Sequence, residues 1–370
     1  MNAPDTPRSS KGLRRWFGPS AFIALAVLVG GRLLLEPLRD KAHFDEQGMD
    51  PFHAVEKFVL RQDPHPIDLA FFGSSQSVWG ILSGNVANEL ELNPRAVRNL
   101  ASPGGTPLEA WHMVQRNQDR LSHLRCAVIE INPFVLRDAL DDDPRTMSTV
   151  SQMGNLHERM MLDEPADRAL QVGEWLLPVN SVRRSLATTF LDVLKPKPGN
   201  AIFPKPDFRT RPFAVWRVRP GTEDCAIQRL TVSAKTAAKR LILHWSPSKL
   251  QDESLRNLLT WFKKRHIPVV MHQPPVHPDV VKAMLEDEEF ASSYRDYKHY
   301  LASLRPKPLE LISAFDPANC GLTELHLSDR THLNEMGARA YSRFLAEKLS
   351  TLQEHIRLAS AAKSKGVAER

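Results

Sequence analysis

The sequence predicts an α/β protein, a parallel five-stranded sheet with helices on both faces, preceded by an amino-terminal transmembrane helix. Three observations carry this. Short, largely apolar runs at 67–72, 96–100, 126–131, 267–271 and 309–315 read as buried parallel strands. Helical periodicity separates and follows them: Leu255, Leu258, Leu259 and Phe262 recur at one-face spacing, as do Met336, Ala340, Phe344 and Leu345. Alternation of strand and helix implies right-handed crossovers and a sheet covered on both sides. Finally, residues 16–35 are apolar apart from Ser20 and Arg32, and twenty residues at helical rise cover about 30 Å, one bilayer core.

At the amino terminus, residues 1–15 hold Arg8, Lys11, Arg14 and Arg15 against Asp5. This asymmetry places a tail at 1–15 in the cytoplasm, an anchor at 16–37 across the inner membrane and the remainder outside the cytoplasm. Arg32 is close enough to one end to snorkel. A cleaved signal peptide has a similar apolar core, but no small-x-small cleavage site follows, which favours an uncleaved anchor. Residues 38–65 read as a polar stalk with one amphipathic stretch at 52–60. The domain proper is expected over 66–350, and 351–370 as a polar tail. The alternation breaks at about 140–235, an insertion expected over the site end of the sheet. Its 195–220 stretch has six prolines and seven Lys/Arg against the single acid Asp207, a lid or anionic-partner surface in one reading and a solvated excursion in the other. Residues 240–244 read as a further strand or a bridge into the second half.

The overall net charge of +6 is patchy, and no Lys/Arg run alternates with aromatics, which argues against a nucleic-acid partner. The three cysteines are too few to hold an exported domain of this size together. Cys126 opens an apolar strand as a small buried residue, whereas Cys225 and Cys320 lie in polar contexts where they could pair. No cysteine or histidine spacing fits a metal, and no cofactor is implied. His272 and His277 are separated by prolines that preclude one helix presenting both, so this segment is expected as a loop after the fourth strand.

Four short stretches carry the chemistry. Gly73-Ser74-Ser75 follows the first strand, with Gly73 permitting a sharp turn into a helix starting around Ser77. That presents the Ser75 hydroxyl at the carboxyl end of a parallel strand; taken alone, such a turn more often caps a helix. Residues 99–106 follow the second strand, and Gly104 can expose its N–H to an oxyanion because no side chain blocks approach. Asn132 ends the third strand, where its amide is a candidate second donor. Asp329-Arg330-Thr331-His332 precedes a helix beginning near Asn334. An Asp three residues before a His can fix the imidazole's tautomer and stabilise its charged form, making His332 the base for Ser75.

These four stretches, in this order, resemble the blocks of the SGNH (GDSL-type) hydrolase superfamily over roughly 66–140 and 236–350. The resemblance implies a three-layer, flavodoxin-like α/β/α sandwich, Ser75 as nucleophile, His332 and Asp329 completing the triad, and Gly104 and Asn132 in the oxyanion hole. It departs at two points: Ser74 stands where the first block has Asp, and Glu130-Ile131-Asn132-Pro133 stands where the third has Gly-x-Asn-Asp. With the anchor, these departures are similar to the envelope-facing branch, the D-alanyl-lipoteichoic-acid biosynthesis and alginate O-acetylation proteins. The resemblance thus implies a serine esterase or O-acyltransferase for acyl esters of envelope glycans or lipids. Such an enzyme needs no metal or cofactor and, if a transferase, is fed by a membrane-bound acyl-donor protein. The rival reading is a non-catalytic domain of the same fold that binds glycan or an assembly partner.

Overall fold

A computed structural model describes residues 23, 26–34, 51–61, 63–140, 144–162, 164–176 and 232–353. The chain divides into two compact units, one comprising 1–45 and 150–198 and the other 46–149 and 199–370.

The larger unit contains the sheet. Its strands are β1 (Leu69–Phe72), β2 (Val97–Asn99), β3 (Cys126–Glu130), β4 (Val269–Gln273) and β5 (Glu310–Ser313), all parallel in the order β2-β1-β3-β4-β5. All five predicted strands are present, each within a few residues of its expected bounds. The helices of this unit that frame the site are α1 (Ser75–Gly80), α2 (Ser83–Glu89), α3 (Pro107–Arg116), α4 (Ala234–Ile242), α5 (Lys249–Lys264), α6 (Pro278–Glu286), α7 (Glu288–Ser303) and α8 (Glu335–Thr351).

Side-chain alternation along the strands divides the core. Leu69, Phe71, Val97, Cys126, Val128, Val270 and Ile312 pack with Val86 and Ala87 of α2 and Tyr341, Leu345 and Leu349 of α8. On the opposite face, Phe72 meets Phe262 of α5 with ring centroids 6.0 Å apart, and α5 packs on α3. The sheet is therefore covered on both sides from β2 to β4, whereas the edge strand β5 buries Ile312 but leaves Leu311 and Ser313 exposed, so burial on both faces does not hold there. The strand order reverses between β1 and β3, the point at which carboxyl-end loops diverge and leave a crevice. Ser75 lies immediately beyond β1 at this reversal.

Two expectations are corrected. Residues 240–244 are not a strand: 240–242 end α4, in which Ala237, Ala238, Leu241 and Ile242 are buried at helical spacing. The stretch at 51–61 is not a stalk but part of the domain. It is a turn of α-helix, Pro51–Ala54, running into a π-helix, Val55–Arg61, with Phe52, Val55, Val59 and Leu60 buried. Glu56 is wholly buried beside them and accepts hydrogen bonds from Arg61 at 3.1 Å, Arg116 at 3.0 Å and Asn117 at 2.9 Å. Burial raises the Glu56 carboxyl, but these donors and the charges of Arg116 and Arg61 outweigh it and hold it below its ordinary value. Glu56→Ala removes the acceptor that Arg116 and the buried Asn117 amide share. The expected cost is about 2 kcal/mol, the scale of buried donors left without their acceptor, measured by urea unfolding of the full chain; an unchanged midpoint would return this segment to the stalk.

The smaller unit, described by itself, includes helix at 26–34 and the helices Leu156–Met160 and Pro165–Leu176. Arg159 is buried and donates to Gly154 O, Gln171 O and Gln171 Oε1. Arg32 lies over the Trp175 ring, 4.7 Å from its centroid, and donates to the Trp175 carbonyl. Among the described residues no helix is long and apolar enough to cross a membrane. Most of the expected anchor at 16–37, the 195–220 basic stretch, Cys225 and the 354–370 tail lie outside the described residues. The Cys320 thiol, half-buried, donates to Pro317 O, and burial pushes it up to about 12.

Candidate active site

The turn after β1 is built around a glycine for lack of room. A Cβ on Gly73 would lie 2.5 Å from the Glu130 Cβ and 2.6 Å from Ser77 Oγ. Ser74, not Ser75, caps α1, its Oγ accepting from Gln76 N at 3.3 Å. This leaves the Ser75 hydroxyl, at the first helical position and half-buried, available for another partner.

That partner arrives from 257 residues later in the chain. Ser75 Oγ lies 2.8 Å from His332 Nε2, and His332 Nδ1 lies 2.8 Å from Asp329 Oδ2. Ionised Asp329 can only accept, so Nδ1 carries the hydrogen and Nε2 is left to accept from the serine. The other Asp329 oxygen accepts the backbone N–H groups of Thr331 at 2.7 Å and His332 at 2.8 Å. Burial raises the Asp329 carboxyl, yet the bond and charge of His332 and these two N–H groups prevail and hold it below its ordinary 3.8. Its pairing thus contributes stability above pH 3.8 that is lost as pH falls below that value. Trp79, one helical turn on from Ser75, packs its ring against the His332 imidazole with centroids 4.2 Å apart.

The loop carrying His332 is held from two sides. Gln76 Nε2 donates to Thr331 O at 2.8 Å. Arg330 donates to Asp279 at 2.8 Å and to His277 Nδ1 at 3.0 Å, and His277 N donates to Arg330 O at 3.0 Å. The segment after β4 is a loop, as expected, but β4 itself extends through His272 to Gln273. His277 caps α6. Among the described residues no group of three or more His, Cys, Asp or Glu side chains could hold a metal ion.

The second loop approaches the first at van der Waals limits. Ser102 N donates to Gly73 O at 3.0 Å, and a Cβ on Gly105 would lie 2.3 Å from that same oxygen. Gly104 is exposed, with φ 70°, the left-handed region that favours glycine. Among the described residues neither the Ser75 nor the Gly104 N–H has a hydrogen-bond acceptor. Asn132 differs from its expected part. Its amide donates to Glu130 Oε1 at 2.6 Å and to Gln76 Oε1 at 3.0 Å, while its carbonyl oxygen accepts from Val135 N at 3.0 Å. Both amide hydrogens are occupied, so Asn132 supports the turn instead of offering a free donor.

Sequence reasoning passed over three contributors. Asn99 donates to Ser77 O and Ile81 O and so ties α1 to β2; Gln76 bridges Asn132 and Thr331; Glu130 gathers the turn beneath Ser75. The signal for Glu130 was an acid inside an otherwise apolar strand. No protein-family model matches the chain, and no curated protein matches it in sequence.

Proposed function

We propose that this chain is an SGNH-type serine esterase or O-acyltransferase acting on acyl esters of envelope glycans or lipids, anchored to the inner membrane by its amino-terminal segment with the catalytic domain outside the cytoplasm. The observation that carries the reading is the continuous relay from Ser75 Oγ through His332 to Asp329, each link 2.8 Å. In this mechanism Ser75 Oγ bonds to the acyl carbonyl carbon while its proton passes to His332 Nε2. The tetrahedral intermediate then expels the alcohol, which takes that proton from His332. The Ser75 and Gly104 N–H groups are the proposed oxyanion donors. Water or a sugar hydroxyl, deprotonated in turn by His332, releases the acyl group. A transferase would draw its acyl groups from a membrane-bound donor protein.

The engaged amide of Asn132 favours a second reading, a non-catalytic domain of this fold that binds glycan or an assembly partner. A fluorophosphonate probe separates the two. Covalent labelling of the full-length chain that disappears in Ser75→Ala is expected; a folded wild-type chain that neither labels nor cleaves a short-chain aryl acetate would leave the binding reading.

A further inference from the structure

Glu130 is 2% exposed, and every hydrogen bond around it points inward. Its Oε2 accepts from Ser74 N at 2.9 Å, Ser77 N at 3.0 Å and Ser77 Oγ at 2.6 Å; its Oε1 accepts from Ser74 Oγ at 2.5 Å and Asn132 Nδ2 at 2.6 Å. The polarity continues outward. Because Ser77 donates to Glu130, its oxygen must accept from His272 Nε2, 3.2 Å away, and His272 Nδ1 then accepts from Tyr341 OH at 2.9 Å. His272 is fully buried, which pulls it down to about 3 and keeps the imidazole neutral. Among the described residues no Lys or Arg pairs with Glu130; only neutral groups meet it. Four of its five donor atoms belong to Ser74 and Ser77, which flank the Ser75–Gln76 pair.

We propose that Glu130 is a positioning residue for the nucleophile: its carboxylate gathers the 74–77 turn so that the Ser75 hydroxyl meets His332 and the Ser75 N–H stays unpaired. This rests on the serine-nucleophile reading. An acceptor with no hydrogens of its own is needed, because an amide at this place would turn a donor toward N–H groups. The carboxylate need not come from position 130. Ser74 Oγ is already within 2.5 Å of Glu130 Oε1, and Asp is a strong cap at the position Ser74 holds. An aspartate there gives up the Ser74 hydroxyl donor but would carry oxygens toward the Ser77 and Asn132 donors that remain once Glu130 is gone.

The test is a double-mutant cycle on the full-length chain, read as the rate of fluorophosphonate labelling with folding monitored by circular dichroism. Glu130→Ala is expected to label about a hundredfold more slowly than wild type, the scale of a nucleophile misplaced by about 1 Å. Ser74→Asp alone is expected to be slow as well, since it sets a second carboxylate against Glu130. The pair, Ser74→Asp with Glu130→Ala, is expected to recover to within about threefold of wild type. A role in packing alone is not rescued, because the aspartate adds no bulk where the Glu130 methylenes lay. Wild-type labelling by Glu130→Ala, or a double variant as slow as that single one, overturns the proposal while the serine-nucleophile reading stands. Should Glu130→Ala fail to fold, Ser77→Ala decides: it removes one donor to the carboxylate, a fall of about tenfold is expected, and an unchanged rate overturns the proposal. Absence of labelling in the folded wild type overturns both.

Discussion

His332→Ala is expected to lower kcat/KM for a short-chain aryl ester by about 10⁴-fold or more, because it removes the only base within reach of Ser75 among the described residues. The sharper variant is Asp329→Asn. Its remaining carbonyl oxygen can still accept the Thr331 and His332 N–H groups, so the loop is expected to keep its shape. Its amide, however, presents a donor to His332 Nδ1, which favours the tautomer with the hydrogen on Nε2. That nitrogen then cannot accept the Ser75 proton, and a loss of about 10⁴-fold in kcat is expected with KM little changed. Steady-state assays of the two variants beside wild type check this. Near-wild-type turnover by folded Asp329→Asn would remove Asp329 from the relay.

The second large effect comes from one methyl group. Gly105→Ala would place its Cβ 2.3 Å from the carbonyl oxygen of Gly73. The obstructing atom is backbone in a turn whose neighbours, Ser74 and Ser77, are tied to Glu130, so no flexible side chain can yield. Either the second loop or the 73–77 turn must move. The expected result is a destabilisation of about 1–3 kcal/mol and a fall in labelling rate of about a hundredfold, the scale of a misplaced nucleophile. Gly84→Ala is the control: a Cβ there meets nothing within 4 Å, and its place inside α2 predicts a slight stabilisation. Equal melting temperatures and activities for Gly105→Ala and wild type would mean that the two loops are not in the close register described.

The departures at Ser74 and Glu130, separate irregularities in the sequence, become one feature in space. The oxygen of Ser74 and the carboxylate of Glu130 share a hydrogen bond between residues 56 positions apart. An acid in a buried strand reads on its own only as a cost. What turns it into a cradle is the arrival of N–H and O–H groups from a neighbouring turn, which no local pattern announces. Asn132 illustrates the converse. Its type and place at the end of β3 suggested an oxyanion donor, but the adjacent carboxylate and Gln76 claim both of its amide hydrogens.

Local chemistry is what the sequence by itself determined. Largely apolar runs specified the five strands, because a strand covered on both faces has little polar side to show, although the edge strand β5 turned out to be buried at Ile312 alone. Gly73, Asn334 and the Asp329–His332 spacing announced the turn, the helix cap and the oriented imidazole, since each acts within a few residues of itself. The stretch at 51–61 and the 240–242 helix end were misread because short amphipathic segments take their form from what they pack against. Strand order, the meeting of Ser75 with His332 and the convergence on Glu130 were decided only by tertiary structure. Those contacts join residues tens to hundreds of positions apart, and it is the crossovers of the parallel sheet that bring them to one end.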